Sequence, residues 1–300
     1  MKKKSLLTDE KLNLFVVFGM PRTGTTYLYH SLSKHPSIFI PYRKESLFFT
    51  VNYENGFDWF HSLYEGATEQ QLAADVNPVY YLDPRSEQRI LQYDSKIKLV
   101  LGVRDPTDFA ISLYGNALAH GVKAPPIVEW VQRFDWSLST HESLEFSLLD
   151  LPMRRRITEL CKTFTNRILL YDYRHFQNDP LSVLQTLECY LRVPNFFTDK
   201  NVDKTRINAS GRHNPLFMNI LLANPKFLET VYRVVPNKGI RYCKIMYDRM
   251  IARKNNARAH ATRHKTNILS EKERDTLKDL FAQDTVFYNK LFESSPFVLG

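Results

Sequence analysis

The chain carries the run Gly19-Met20-Pro21-Arg22-Thr23-Gly24-Thr25-Thr26, small, hydroxylated and cationic, directly after the apolar residues 14–18 and before a helical pattern. Successive backbone N–H groups in such a turn, together with the N-terminus of the helix that follows, form a cradle for an anion. A nucleotide loop of the GxxxxGK[ST] kind places lysine after the second glycine, where it reaches the β- and γ-phosphates. Here that position is Thr25, and the cation, Arg22, stands before Gly24 instead. Hydroxyls at Thr23, Thr25 and Thr26 complete the set. It suits an activated 5′ anion whose bond breaks at a bridging oxygen, because a fixed cation there offsets the charge that develops. The alternative is a strand-to-helix turn in which glycine and hydroxyls only cap the helix.

A second cluster, Arg104-Asp105-Pro106-Thr107-Asp108-Phe109-Ala110-Ile111-Ser112, follows the apolar residues 98–103. In a doubly wound sheet the loops leaving the carboxyl ends of strands line the ligand crevice, so Arg104 is aimed where the first loop is aimed. Ser112, about two turns into the helix, presents its hydroxyl beside it. Taken alone, Arg-Asp-Pro reads as a helix opening with a surface arginine. Paired with the first loop, it reads as a second anion pocket. A third stretch, Pro41-Tyr42-Arg43-Lys44-Glu45-Ser46-Leu47-Phe48-Phe49, offers Glu45 as a base able to take a proton from an attacking group. Arg43 and Lys44 beside it favour its ionised form. A solvated surface glutamate is the other reading of that position.

With these residues in view, the chain resembles the sulfotransferases that use 3′-phosphoadenosine 5′-phosphosulfate (PAPS). Residues 15–35 look like that family's 5′-phosphosulfate loop, and residues 98–114 resemble its 3′-phosphate site. The resemblance implies that Arg22, Thr23, Gly24, Thr25 and Thr26 hold the 5′ end of the donor, and that Arg104 and Ser112 hold its 3′-phosphate. Arg22 stands where the family usually has lysine, which keeps the charge and adds a planar fork. Lys44-Glu45-Ser46-Leu47-Phe48-Phe49, with Asp75-Val76-Asn77-Pro78-Val79-Tyr80 downstream, is similar to the branch typified by heparan sulfate sulfotransferases and their bacterial relatives. In that branch the glutamate is the base, so Glu45 inherits the role, whereas a histidine often found two residues later is Leu47 here. Residues 204–212 lie where the family has a late loop over the 3′-phosphate, which implies Ser210, Gly211 and Arg212, an ordinary basic surface loop being the other reading; Tyr27 and Tyr171 either flank the adenine or belong to the core. The implied activity is in-line transfer of a sulfuryl group from PAPS to a hydroxyl or amine on a glycan or small-molecule acceptor. Adenosine 3′,5′-bisphosphate is the second product and no metal is required. The rivals are a P-loop kinase or NTPase and a catalytically silent module that binds polyanions.

These groups need elements to position them. Continuous apolar runs at 14–18, 98–103 and 167–171 read as strands buried on both faces, each followed by a helical pattern. The helices expected are 25–34, one opened by Asp105 and Pro106 and running to about residue 120, 181–191 after Asp179-Pro180, and 270–292 opened by a Ser270–Glu273 capping box. Strand–turn–helix units in series predict an α/β fold: a P-loop-like doubly wound sheet with central parallel strands flanked by helices and extra C-terminal helices. The 300 residues read as a single sulfotransferase domain, with a flexible stretch at 1–12 and a basic segment plus C-terminal helix at 249–300.

The net charge of +9 favours an anionic partner without naming one. An acceptor of small-molecule or glycan type is expected rather than nucleic acid. Three cysteines, Cys161, Cys189 and Cys243, are widely spaced and unpaired in pattern, which suits a reducing compartment. The first residues lack an apolar stretch of signal-peptide or membrane-spanning length, so a cytoplasmic location is expected. None of the nine histidines falls at a metal-ligand spacing. Oligomeric state and the identity of the acceptor are left open by the sequence.

Overall fold

The computed structural model describes residues 11–42, 44–119, 122–132, 135–136, 144–145, 149, 152–202 and 269–300. Ser210, Gly211 and Arg212, Arg43, and the basic run of residues 249–265 lie outside the described residues, as does Cys243.

A six-stranded sheet organises the chain, in the order β2-β3-β1-β4-β7-β8. Its members are β1 (Leu14–Gly19), β2 (Ile38–Phe39), β3 (Leu72–Val76), β4 (Lys98–Val103), β7 (Ile168–Asp172) and β8 (Phe297–Leu299). The first five run parallel and β8 pairs antiparallel with β7. The strands β5 (Asp135–Trp136) and β6 (Leu144–Glu145) form a separate antiparallel pair. Every residue of β1 is buried, as expected of a strand covered on both faces. Alternation sends Leu14, Val16 and Phe18 into one core and Phe15 and Val17 into the other. β4 repeats the device with Leu99, Leu101 and Val103 against Val100.

The sheet is wound in both directions from β1, which has β3 on one side and β4 on the other. That reversal opens a crevice at the carboxyl ends of β1 and β4. Helix α1 (Thr25–Leu32) leaves β1, and α4 (Pro106–Ala119) leaves β4. Asp105 caps α4 as the sequence predicts, its carboxylate accepting from Asp108 N at 3.1 Å. After β7 a helix not foreseen in the sequence, α7 (Tyr173–Asn178), precedes the expected α8 (Pro180–Leu191). The other helices are α2 (Gly56–Ser62), α3 (Arg85–Tyr93), α5 (Ile127–Gln132) and α6 (Met153–Thr163). The Ser270–Glu273 capping box is present, but the single helix expected over 270–292 is two, α9 (Glu271–Leu280) and α10 (Ala282–Leu291). Phe281 is the break, its ring buried in the core. Among the described residues, no helix is long and apolar enough to cross a membrane.

Two glycines permit the crevice. Gly24 is the N-cap of α1 with φ 86°, and a Cβ there would sit 2.2 Å from Phe176 Cε1. Gly102 in β4 leaves room for Tyr171 and Thr23, whose atoms would lie 2.5 Å and 2.7 Å from an added methyl. Gly24→Ala therefore meets both a left-handed backbone and an aromatic ring. We expect it to lower stability by about 1–3 kcal/mol in urea unfolding, and the double variant Gly24→Ala/Phe176→Leu to recover part of that loss.

Candidate functional site

The loop between β1 and α1 is fixed from beneath. Thr23 is fully buried and its hydroxyl donates to Met20 O at 2.6 Å, while Tyr171 donates from its hydroxyl to Thr23 O at 2.8 Å. The Thr23 side chain thus closes the loop, and only its backbone is left to face a ligand. Of the two readings of Tyr171 and Tyr27, the structure gives the core one rather than the adenine one. Both are buried behind the loop, where Tyr27 meets Phe176 edge-on at 5.4 Å. Thr25 is buried and Thr26 half-buried in the first turn of α1.

Above this base the two predicted anion motifs meet. Arg22, at φ 65°, donates from Nε to Ser112 Oγ at 3.2 Å across the crevice from α4. Arg104 donates from Nη1 to Arg22 O at 3.2 Å, and its guanidinium lies over the Tyr173 ring at 4.9 Å. Among the described residues, neither arginine has a carboxylate partner. Burial holds the Arg22 guanidinium below the usual arginine range, Tyr173 opposes this, and repulsion from Arg104 adds to it. Two like charges are therefore held together, half out of water, beside the N-terminus of a helix. An anion is the group that relieves that arrangement.

Glu45 lies at the same sheet edge. Its N–H donates to Val76 O, the last residue of β3, at 3.2 Å. The Glu45 carboxylate is partly exposed, at 38%, and pairs with Lys44. Beneath it runs a buried network that sequence reasoning did not find. Ser46 donates to both oxygens of Asp75 at 3.2 and 3.1 Å, and Tyr80 donates to Asp75 Oδ2 at 2.6 Å. Tyr80 also accepts from Phe49 N at 3.2 Å, and Ser46 Oγ accepts from Phe48 N at 3.2 Å. Glu45 and Leu47, on either side of Ser46, both have left-handed backbones, at φ 62° and 55°. The network therefore holds the residues around Glu45 in a conformation that non-glycine residues disfavour. Only the Asp75-x-x-Pro78-x-Tyr80 spacing hinted at it. Burial pushes the Asp75 carboxyl up to about 6, against the two hydroxyl hydrogen bonds, and Glu45 adds a smaller push the same way.

The sequence matches the sulfotransferase domain family over residues 13–217. It is 34% identical over 118 residues to the membrane-associated sulfotransferase kil1 of Dictyostelium discoideum, covering 38% of this chain and 25% of that protein. It is 31% identical over 111 residues to mouse heparan sulfate glucosamine 3-O-sulfotransferase 5, covering 36% of this chain and 32% of the relative. With mouse heparan sulfate glucosamine 3-O-sulfotransferase 3A1 it shares 27% identity over 221 residues, 66% of this chain and 51% of the relative. The chain thus spans between a quarter and about half the length of these relatives. In fold it is similar to a sulfotransferase from Alicyclobacillus acidocaldarius, with a TM-score of 0.52 and 18% identity over 71% of this chain and 91% of the other.

The buried Asp75 has a consequence for stability. Its folded-state value of about 6 lies above the ordinary 3.8, so between those limits the folded chain keeps a proton that the unfolded chain releases. Stability contributed by the neutral form is present below pH 4 and lost as pH rises through 6. We expect Asp75→Asn to remove that slope. In urea titrations from pH 4 to 6.5, the variant gains on the wild type by roughly 2–3 kcal/mol, and parallel curves would contradict the assignment.

Proposed function

The chain belongs to the sulfotransferase family, and on that premise we propose that it moves a sulfuryl group from PAPS to a hydroxyl or amine of a carbohydrate acceptor. The single observation that carries this reading is the meeting of Arg22, Ser112 and Arg104 across the β1–β4 crevice, joined by hydrogen bonds of 3.2 Å and lacking a carboxylate among the described residues. A donor with anions at both its 5′ and 3′ ends matches two such cations, and position 25 carries no lysine for a γ-phosphate.

In this reading Gly24, Thr25 and Thr26 present backbone N–H groups and the positive end of α1 to the 5′ anion. Thr23 contributes its backbone, since its hydroxyl is spent inside the loop. Arg22 neutralises charge on the bridging oxygen as it leaves. Arg104 and Ser112 hold the 3′-phosphate, so that remote binding orients the reacting end. Glu45, paired with Lys44, accepts the proton of the attacking hydroxyl or amine. The donor supplies an activated sulfuryl group, and no step requires a metal.

A carbohydrate acceptor is favoured by the likeness of the Glu45 and Asp75 segments to the heparan sulfate branch. The matched relatives named for heparan sulfate glucosamine 3-O-sulfation support the same class. We take residues 1–300 as one domain, a reading supported by β8 completing the sheet beside β7. A reducing, cytoplasmic setting is proposed from the wide spacing of Cys161, Cys189 and Cys243 in the sequence.

Calorimetric titration tests the donor. Adenosine 3′,5′-bisphosphate is expected to bind without magnesium and at least tenfold more tightly than ATP; magnesium-dependent preference for ATP would overturn the reading, as would equal, steeply salt-dependent binding of any polyanion. With PAPS and oligosaccharide acceptors, mass-detected turnover is expected to fall roughly 10²–10³-fold in Arg22→Ala and about 10²–10⁴-fold in Glu45→Gln. Near-normal turnover in the glutamate variant would remove Glu45 as the base.

A further inference from the structure

Tyr173, under the Arg104 guanidinium, belongs to neither anion motif. β7 ends at Asp172, whose carboxylate accepts from Arg174 N at 2.8 Å and from the Tyr288 hydroxyl at 2.6 Å. That cap turns the chain into α7 one residue past the sheet, so Tyr173 stands at the carboxyl edge beside β4. The Tyr173 ring stacks on Phe176 with centroids 6.1 Å apart and planes 24° apart. Phe176 is the same ring that excludes any side chain at position 24. Tyr173 is therefore backed by the base of the phosphate loop, and its ring carries the Arg104 guanidinium at 4.9 Å.

A guanidinium over an aromatic face is held by the ring quadrupole without spending any N–H group. A carboxylate in the same place would fix Arg104 too, but it would occupy the donors and cancel the charge. Of the five N–H donors of Arg104, one goes to Arg22 O. An aromatic support therefore fixes the side chain and leaves its remaining donors for a ligand.

We propose that Tyr173 is a positioning residue that sets the preference of this site for a nucleotide phosphorylated on its 3′-hydroxyl, by holding Arg104 ready to meet that phosphate. The inference rests on the PAPS reading given above. Adenosine 3′,5′-bisphosphate and adenosine 5′-phosphate differ only in that group, so the ratio of their dissociation constants reads it directly.

Calorimetry on the full chain is expected to give a wild-type ratio well above ten in favour of the bisphosphate, and a ratio near one in Arg104→Ala. Tyr173→Leu is expected to weaken the bisphosphate about tenfold and leave the monophosphate within twofold, while Tyr173→Phe, which keeps the ring, retains the wild-type ratio. Tyr173→Met, similar in bulk against Phe176, substitutes if the leucine variant does not fold. A structural role alone would weaken both nucleotides together. Equal weakening, or an unchanged ratio in Tyr173→Leu, overturns the inference while the donor reading stands. A wild-type ratio near one overturns both.

Discussion

Two guanidinium groups are held together with no carboxylate partner among the described residues, and much of the local structure answers to that constraint. Arg22 and Arg104 repel, and burial of Arg22 makes its charge costlier still. Each contact that opposes the repulsion comes from a different strand–helix unit. Ser112 on α4 accepts from Arg22, the Arg22 carbonyl accepts from Arg104, and Tyr173 on α7 supplies a ring face to Arg104. None of these partners carries negative charge. The N-terminus of α1 adds its partial positive charge beside them. A parallel sheet that reverses direction at β1 is the frame that lets three neighbouring strands deliver these groups to one crevice.

The Glu45 side of the crevice is built on the opposite principle. There a buried carboxyl, Asp75, gathers the hydroxyls of Ser46 and Tyr80, and these in turn take the backbone N–H groups of Phe48 and Phe49. The left-handed conformations at Glu45 and Leu47 cost about 1–3 kcal/mol each, and the network together with the burial of Phe48 and Phe49 offsets them. Glu45 is thus carried on a stiff stretch while its carboxylate remains partly open to solvent. The absence of a histidine at position 47 fits this construction, because Leu47 sits at a turn that the buried network already holds.

The fold was legible where a local signal coincided with the tertiary outcome. The runs at β1, β4 and β7 are apolar on both faces because both faces are buried, so the pattern leaves little choice. Asp105 before Pro106 and Ser270 before Glu273 are caps whose partners lie within three residues, and they form as read. What escaped depends on distant partners. Phe281 breaks the C-terminal helix because its ring is taken into the core, and β8 is a strand only because β7 leaves an edge for it. In the site, Arg22, Arg104 and Ser112 were readable from position relative to strands. The inward turn of Thr23 was not, and the burial of Tyr171 and Tyr27 was one of two open readings. Each follows from space created by Gly102 and filled by Phe176, neither of which carries a chemical signal in sequence.

Arginine at position 22 acquires a reason from the same geometry. Its Nε donates to Ser112, and among the described residues its two terminal nitrogens make no hydrogen bond. A lysine carries its three donors on a single nitrogen, so a bond to Ser112 would fix the place of the whole charged group. The planar fork separates the two: Nε holds the side chain against α4, and the terminal nitrogens are donors that the proposed role at the 5′ end can draw on. The carbonyl of the same residue accepts from Arg104. One residue thus joins the loop to both other walls of the crevice, and shortening its side chain would withdraw the charge from the site and the support from α4 together.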